Sequence, residues 1–357
     1  MTAARRYLPV LAMAVAVVGL QVALSAAGAT YYMTQITMSA YYSLVVIGLC
    51  LLMGYAGQIS LGHAGFFAIG GYTVAALSKL NLLPWRDSAA VRAMDALGML
   101  VSRADIYGSP VLATAPWAAT LAALVAAAII AALIALPVLR LKGHYLAMAT
   151  LGFGLIIYRV VLGAEVFGQA DGLSSVPAMP LPGGLQINGR PAFRIENYYI
   201  AWTAVLAAMV LSLNLVHSRV GRALRSIHQS EDAAHSLGVD TYRYKLITFV
   251  ISALLAAAGG ALLTYYNGSI GPSEATAMKS VRYVAIVAVG GMANLWGCML
   301  MGVVLNFLSL RGVFETYDDA VFGAILIAIM VFAPGGLLRI EPLRALAAAV
   351  ARRPRHG

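Results

Sequence analysis

Charge is scarce in this sequence. Only 11% of its residues are Asp, Glu, Lys or Arg, while 61% of the 357 are hydrophobic. With a mean hydropathy of +0.83, a soluble domain is excluded, because no water-facing surface can be assembled from so few polar groups. Cysteine is scarcer still. Cys50 and Cys298 both sit in or beside apolar runs, where packing is expected of them rather than a disulfide or a metal. There is no G-x-x-x-x-G-K-[S/T], so this chain cannot itself cradle ATP phosphates. HExxH, CxxC and a nucleophile elbow are missing too, so no cofactor, metal or catalytic constellation is expected. The net charge of +10 comes without any aromatic–basic motif, which removes nucleic acid from the partners.

Long apolar runs are abundant. A hydrocarbon core of about 30 Å needs about 20 apolar residues per helix, and ten candidate spans can be drawn, at 8–28, 32–53, 57–79, 111–139, 143–163, 198–217, 246–266, 281–293, 297–313 and 317–338. The first imitates a signal peptide, with Arg5 and Arg6 before an apolar run, but its length favours an uncleaved span. The eighth is too short for a straight crossing, and Gly290, Gly291 and Gly297 around it predict a broken helix. With the N-terminus inside, the inner segments carry 14 of the 24 Lys/Arg and four of the 14 acids. The positive-inside rule then gives ten crossings with both termini cytoplasmic. The expected fold is an all-α polytopic membrane protein of about ten transmembrane helices, some broken. It forms one transmembrane domain with outer loops at 80–110 and 164–197 and a basic tail at 339–357 against the inner lipid leaflet. The first loop has room for a short surface helix; the second, rich in Pro and Gly, reads as turns or a small hairpin.

Two stretches stand out. Ser218 to Lys245 is the one long polar segment between spans. At helical spacing Val220, Ala223, Leu224 and Ile227 share a face, with Arg222 and Arg225 away from it. Ser230 is placed to cap a second short helix, Glu231 and Asp232 complement its positive end, and Gly238 suits the left-handed residue that stops it. An amphipathic segment on anionic lipid would have the same pattern. The other stretch, GYAGQISLGHAGFFAIGGYTVAAL from Gly54 to Leu77, puts six glycines among Gln58, Ser60 and His63. Glycines let membrane helices approach closely, and a helix break is tolerated only where protein or water covers the freed backbone. Gln58, Ser60 and His63 are therefore candidates to line a solute path, with interhelical hydrogen bonding as the commoner use of such groups. Asn294 is a weaker fourth candidate.

These glycines, together with LRLKGHYLAMATLGFG (139–154), DGLSSVP (171–177), residues 218–262 and VGGMANLWG (289–297), resemble the permeases of branched-chain amino acid ABC importers, from about residue 35 to 338. The LKGHY stretch resembles the longer of the two paralogous permease types. The resemblance implies a bacterial inner-membrane subunit working with a paralogous permease, two cytoplasmic ATPase subunits and a periplasmic binding protein. It also implies that 225–238 is the coupling segment seated in the ATPase, with Arg225, Glu231, Asp232, the Ala233–Ala234 pair and Gly238 in the motif. Leu155, Gln169, Ala170, Asn294 and Cys298 depart from the family pattern, and relatives of this kind also serve urea, short amides and aromatic acids.

A carrier driven by an ion gradient is the alternative. It calls for ionisable groups deep in the bundle. The acids of this sequence are expected in loops or at span ends, and Glu165 and Arg159 are the nearest approach to an intramembrane pair.

Overall fold

The computed structural model describes residues 3–104, 110–141, 143–313 and 317–332; the basic tail at 339–357 lies outside them. The apolar runs become helices, in the order α1 (Ala3–Ala26), α2 (Tyr32–Leu49, prolonged by a π-helical turn at Cys50–Tyr55), α3 (His63–Lys79), α4 (Ala89–Ala96), α5 (Pro116–Val138), α6 (His144–Gly163), α7 (Arg194–His217), α8 (Arg219–Gln229), α9 (Glu231–Ser236), α10 (Thr241–Asn267), α11 (Ala277–Gly290), α12 (Leu295–Leu310) and α13 (Asp318–Phe332). Six stretches, at Tyr7–Ala26, Tyr32–Tyr55, Pro116–Val138, His144–Gly163, Pro191–His217 and Thr241–Asn267, are long and apolar enough to cross a membrane. Helices α3, α11, α12 and the described part of α13 are shorter.

The centre of the bundle is α2, packed against α10, α12 and α7, with α10 also against α3 and α5. Sequence explains which faces turn inward. On α5, Ala119, Ala123, Ala127, Ala131 and Ala135 recur every four residues and are buried, while Leu121, Val125, Ile129 and Leu133 are exposed. Small residues line the helix–helix seam and large apolar ones face outward, the pattern of a helix whose outer surroundings are lipid. Between α3 and α10 the seam is tighter still. A Cβ on Gly70 would lie 2.0 Å from the Ala257 carbonyl oxygen, and one on Gly260 would lie 2.0 Å from that of Phe67. Backbone touches backbone there, and no side chain fits.

The fold is not purely helical. The segment between α3 and α5 contains α4 and a hairpin of β1 (Leu100–Ala104) with β2 (Pro110–Thr114). The Pro/Gly-rich segment forms the expected small hairpin, β4 (Met179–Pro180) with β5 (Gln186–Ile187), and β3 (Leu173–Ser174) pairs with β6 (Ser269–Ile270). The β1–β2 hairpin escapes a sequence reading because neither LVSRA nor PVLAT alternates apolar with polar residues, the period that marks a half-buried strand.

Candidate functional site

Two of the short helices begin inside the bundle. After the π-helical turn the chain is irregular through 56–62 before α3 starts at His63. The freed backbone groups find protein partners, as a break at membrane depth requires. Leu61 N–H donates to Thr150 Oγ1 of α6 at 3.0 Å, and Ala64 N–H donates to Ser280 Oγ of α11 at 3.1 Å. His63 is fully buried and bridges Ser60 Oγ (3.0 Å) and Ser252 Oγ of α10 (2.7 Å), with Phe66 and Phe249 edge-on to its ring. Ser60 and His63 are thus hydrogen-bonded within the protein. Gln58 differs. It is 2% exposed, and neither its amide N nor its O has a hydrogen-bond partner among the described residues.

Gln58 lines a cavity of about 130 Å³ with Gly57, Leu146, Ile227, His228, Glu231 and Lys245. This cavity joins the break to the polar segment. Ser218 caps α8, accepting from Val220 and Gly221 N–H, and Ser230 caps α9, accepting from Ala233 N–H. Gly238, at φ +81°, follows α9, and Asp240 caps α10 through Arg243 N–H. Leu224, Ile227 and Ala234 are buried, while Arg222, Arg225, Asp232, Ala233 and Gly238 are exposed. Glu231 does not face outward with them. It forms an ion pair with Lys245, whose side chain is 9% exposed, and so ties α9 to the first turns of α10. The outward face instead carries Leu237, 83% exposed. A large apolar side chain held out on a short, doubly capped helix is a contact surface in search of a partner.

Residues 31–330 match the family described as branched-chain amino acid transport system / permease component. The chain belongs to this permease family. It is 30% identical over 324 residues to the high-affinity branched-chain amino acid transport system permease protein LivM of Escherichia coli (strain K12), covering 85% of this chain and 68% of that one. To LivH of the same organism it is 26% identical over 329 residues, covering 86% and 96%. To BraD of Pseudomonas aeruginosa it is 26% identical over 322 residues, with the same coverage. The LivM likeness fits the longer permease type. No solved structure matches.

In this permease Asn294 lies in the turn between α11 and α12 and caps α12, accepting from Gly297 N–H at 3.1 Å. That turn packs on the far end of α2, where Tyr55 Oη donates to the Ala293 carbonyl. Asn294 is therefore at the α8–α9 end of the bundle, apart from the His63 cluster.

One expectation is overturned. Residues 267–280 were to lie in an outer loop, with no charge pair deeper in the permease. Instead Lys279 Nζ lies 3.1 Å from Glu274 Oε1 and 3.4 Å from Tyr42 Oη, and Tyr42 donates to Glu274 at 2.9 Å. Tyr42 is in the middle of the run 32–55. Hydropathy scores each charge against lipid separately and so expels both, whereas adjacent opposite charges neutralise each other and enter together. Glu165 and Arg159 are both exposed. Besides Glu274 and Lys279, the sequence reading passed over Leu237, Lys245, Thr150, Ser252 and Ser280. Thr150 and Ser252 were visible only as isolated hydroxyls in apolar spans, and Ser280 only as a hydroxyl at the edge of one.

Proposed function

We propose that this permease is the membrane-spanning subunit of an ATP-driven importer in a bacterial inner membrane. It carries branched-chain amino acids or closely related small solutes such as urea, amides or aromatic acids, received from a periplasmic binding protein. It pairs with a paralogous permease and two cytoplasmic ATPase subunits, which hydrolyse the ATP. On this reading all ten candidate spans cross or enter the membrane, both termini are cytoplasmic, α8–α9 face the cytoplasm, and the segments around α4 and β4–β5 face the periplasm.

The observation that carries the reading is the two-faced α8–α9 unit. Its inner face is locked to the helix break through the Gln58–His228–Glu231–Lys245 cavity, and its outer face presents Leu237, Arg225 and Ala233. Short helices fixed in this way transmit a rigid-body push from a closing ATPase into the bundle. Purification of the tagged protein in mild detergent, with mass spectrometry of its companions, tests it. Recovery of an ATPase and a second permease is the expected result; recovery of the folded chain alone would overturn it.

The Glu274–Lys279 pair gives one observation in favour of a gradient-driven carrier. Uptake into vesicles holding this chain alone, under an imposed proton or sodium gradient, would establish that alternative. We expect none.

A further inference from the structure

Helices α3 and α11 run in opposite directions, and their first turns meet. α3 follows 56–62, which leaves the α8–α9 end of the bundle, where Gly57 touches His228. α11 follows 268–276, which leaves the opposite end, where the 27-residue α10 finishes. The meeting point is fixed by Ala64 N–H on Ser280 Oγ. Its depth is fixed by Lys279 on Tyr42 and by Ser252, which contacts both His63 and the position of Gly48 on α2. Tyr42 and Gly48 bracket the middle of 32–55. Two helix N-termini, each the positive end of its helix dipole, thus converge half-way through the protein.

Beside them stands the Glu274–Lys279 pair. Its side chains are 17% and 21% exposed, so it is neither sealed in the core nor open to bulk solvent, and Met278 next to it is exposed. A charge pair at this depth is not left against hydrocarbon; its open flank therefore faces water or another subunit. Two more polar groups are held ready nearby. The hydroxyls of Tyr72 and Tyr283, residues 2% and 0% exposed, have no hydrogen-bond partner among the described residues. The Tyr283 ring is 6.4 Å from that of Tyr42, and Tyr72 lies on α3, which packs against the 272–275 turn that carries Glu274.

We propose that this junction, with Glu274, Lys279 and Tyr42 at its centre, is the station in the permease path that receives the ammonium and carboxylate of a zwitterionic solute. The solute's ammonium goes to Glu274 and its carboxylate to Lys279 and the positive helix ends, an exchange of one ion pair for two. Because the pair is already satisfied within the protein, the gain on binding is small. That suits a point of transit, since tight capture would stall release. The proposal rests on the importer reading and deepens it.

The test uses the whole importer in proteoliposomes, supplied with a leucine-loaded binding protein, with leucine uptake and ATP hydrolysis followed together. Wild type that binds no ATPase and takes up no leucine would refute the importer reading itself. Given a working wild type, E274Q/K279Q removes both charges while keeping hydrogen-bonding groups at both positions. We expect uptake to fall at least ten-fold while binding-protein-stimulated hydrolysis stays within two-fold. Uptake within two-fold of wild type would reduce the pair to a pin between α2 and α11 and overturn the proposal, as would a parallel collapse of uptake and hydrolysis. A second variant does not disturb the charges. In a C50A/C298A background, M278C should react with a small charged thiol reagent more slowly in saturating leucine than in equal urea. Equal rates would overturn the proposal.

Discussion

His228 of α8 lies directly against Gly57, the first left-handed residue after α2: a Cβ on Gly57 would be 2.9 Å from His228 Nδ1. Gly57 has φ +68°, so glycine is required there twice, by conformation and by space. Gly57→Ala should cost about 1–2 kcal/mol for the left-handed backbone and should push α8 off its seat. We expect complexes that assemble but couple poorly, with leucine uptake per ATP hydrolysed falling several-fold in proteoliposomes.

The Glu231–Lys245 pair ties α9 to α10 and is mostly screened from solvent. Lys245→Met leaves Glu231 without its cation, and the loss of such a largely buried pair should cost about 1–3 kcal/mol. The thermal midpoint in detergent should drop. E231Q/K245M should recover part of the loss, because no charge is then left unpaired. A double variant less stable than K245M would show that the pair is not the link described.

Leu237 bears no part of the core. Leu237→Asp should therefore leave the melting temperature within about 1 °C of wild type, since surface changes are usually within about 0.5 kcal/mol. It should nevertheless abolish recovery of the ATPase in the pull-down.

Ser252 is one of the two hydroxyls that satisfy the His63 ring. Ser252→Ala strands one ring nitrogen in a fully buried site, which should cost about 1–3 kcal/mol. Ser252→Thr keeps the hydroxyl and should cost less than the alanine variant, provided the extra methyl is accommodated. Thermal unfolding of the two variants side by side checks the order.

Topology can be read with single thiols in a C50A/C298A background. A cysteine at Leu97, exposed after α4, and one at Ser236, exposed on α9, should react with an impermeant reagent from opposite sides of the membrane. Labelling of both from one side would break the ten-span reading.

Much of this fold was legible from composition and spacing. The alanine ladder of α5, the caps at Ser218 and Ser230 and the left-handed Gly238 are local features, set by residues within one or two turns of each other. The close seam of α3 and α10 was signalled by Gly70 and Gly71, although not its partner Gly260. What stayed hidden depends on contacts across the chain. Nothing near Glu274 announces Tyr42 as its partner, because Tyr42 is 232 residues away. Glu231 reads as an exposed acid at a helix start until α10 brings Lys245 to it. The eighth span was expected to be broken at its glycines. The helix does end at Gly290 and Gly291; the further irregular part is the approach at 268–276, which a hydropathy profile places outside the membrane.

The meeting of α3 and α11 also bears on where the membrane voltage falls. Over most of the bundle a full helix length separates the two faces, but here irregular chain reaches inward from each. If water follows those segments, the potential drops over a short stretch around Ser280 and not over the whole bilayer. Each unit of net charge moved across a 100 mV potential involves about 2.3 kcal/mol of electrical work, and that work would be concentrated in a few ångströms. A cargo with balanced charges passes such a constriction without it.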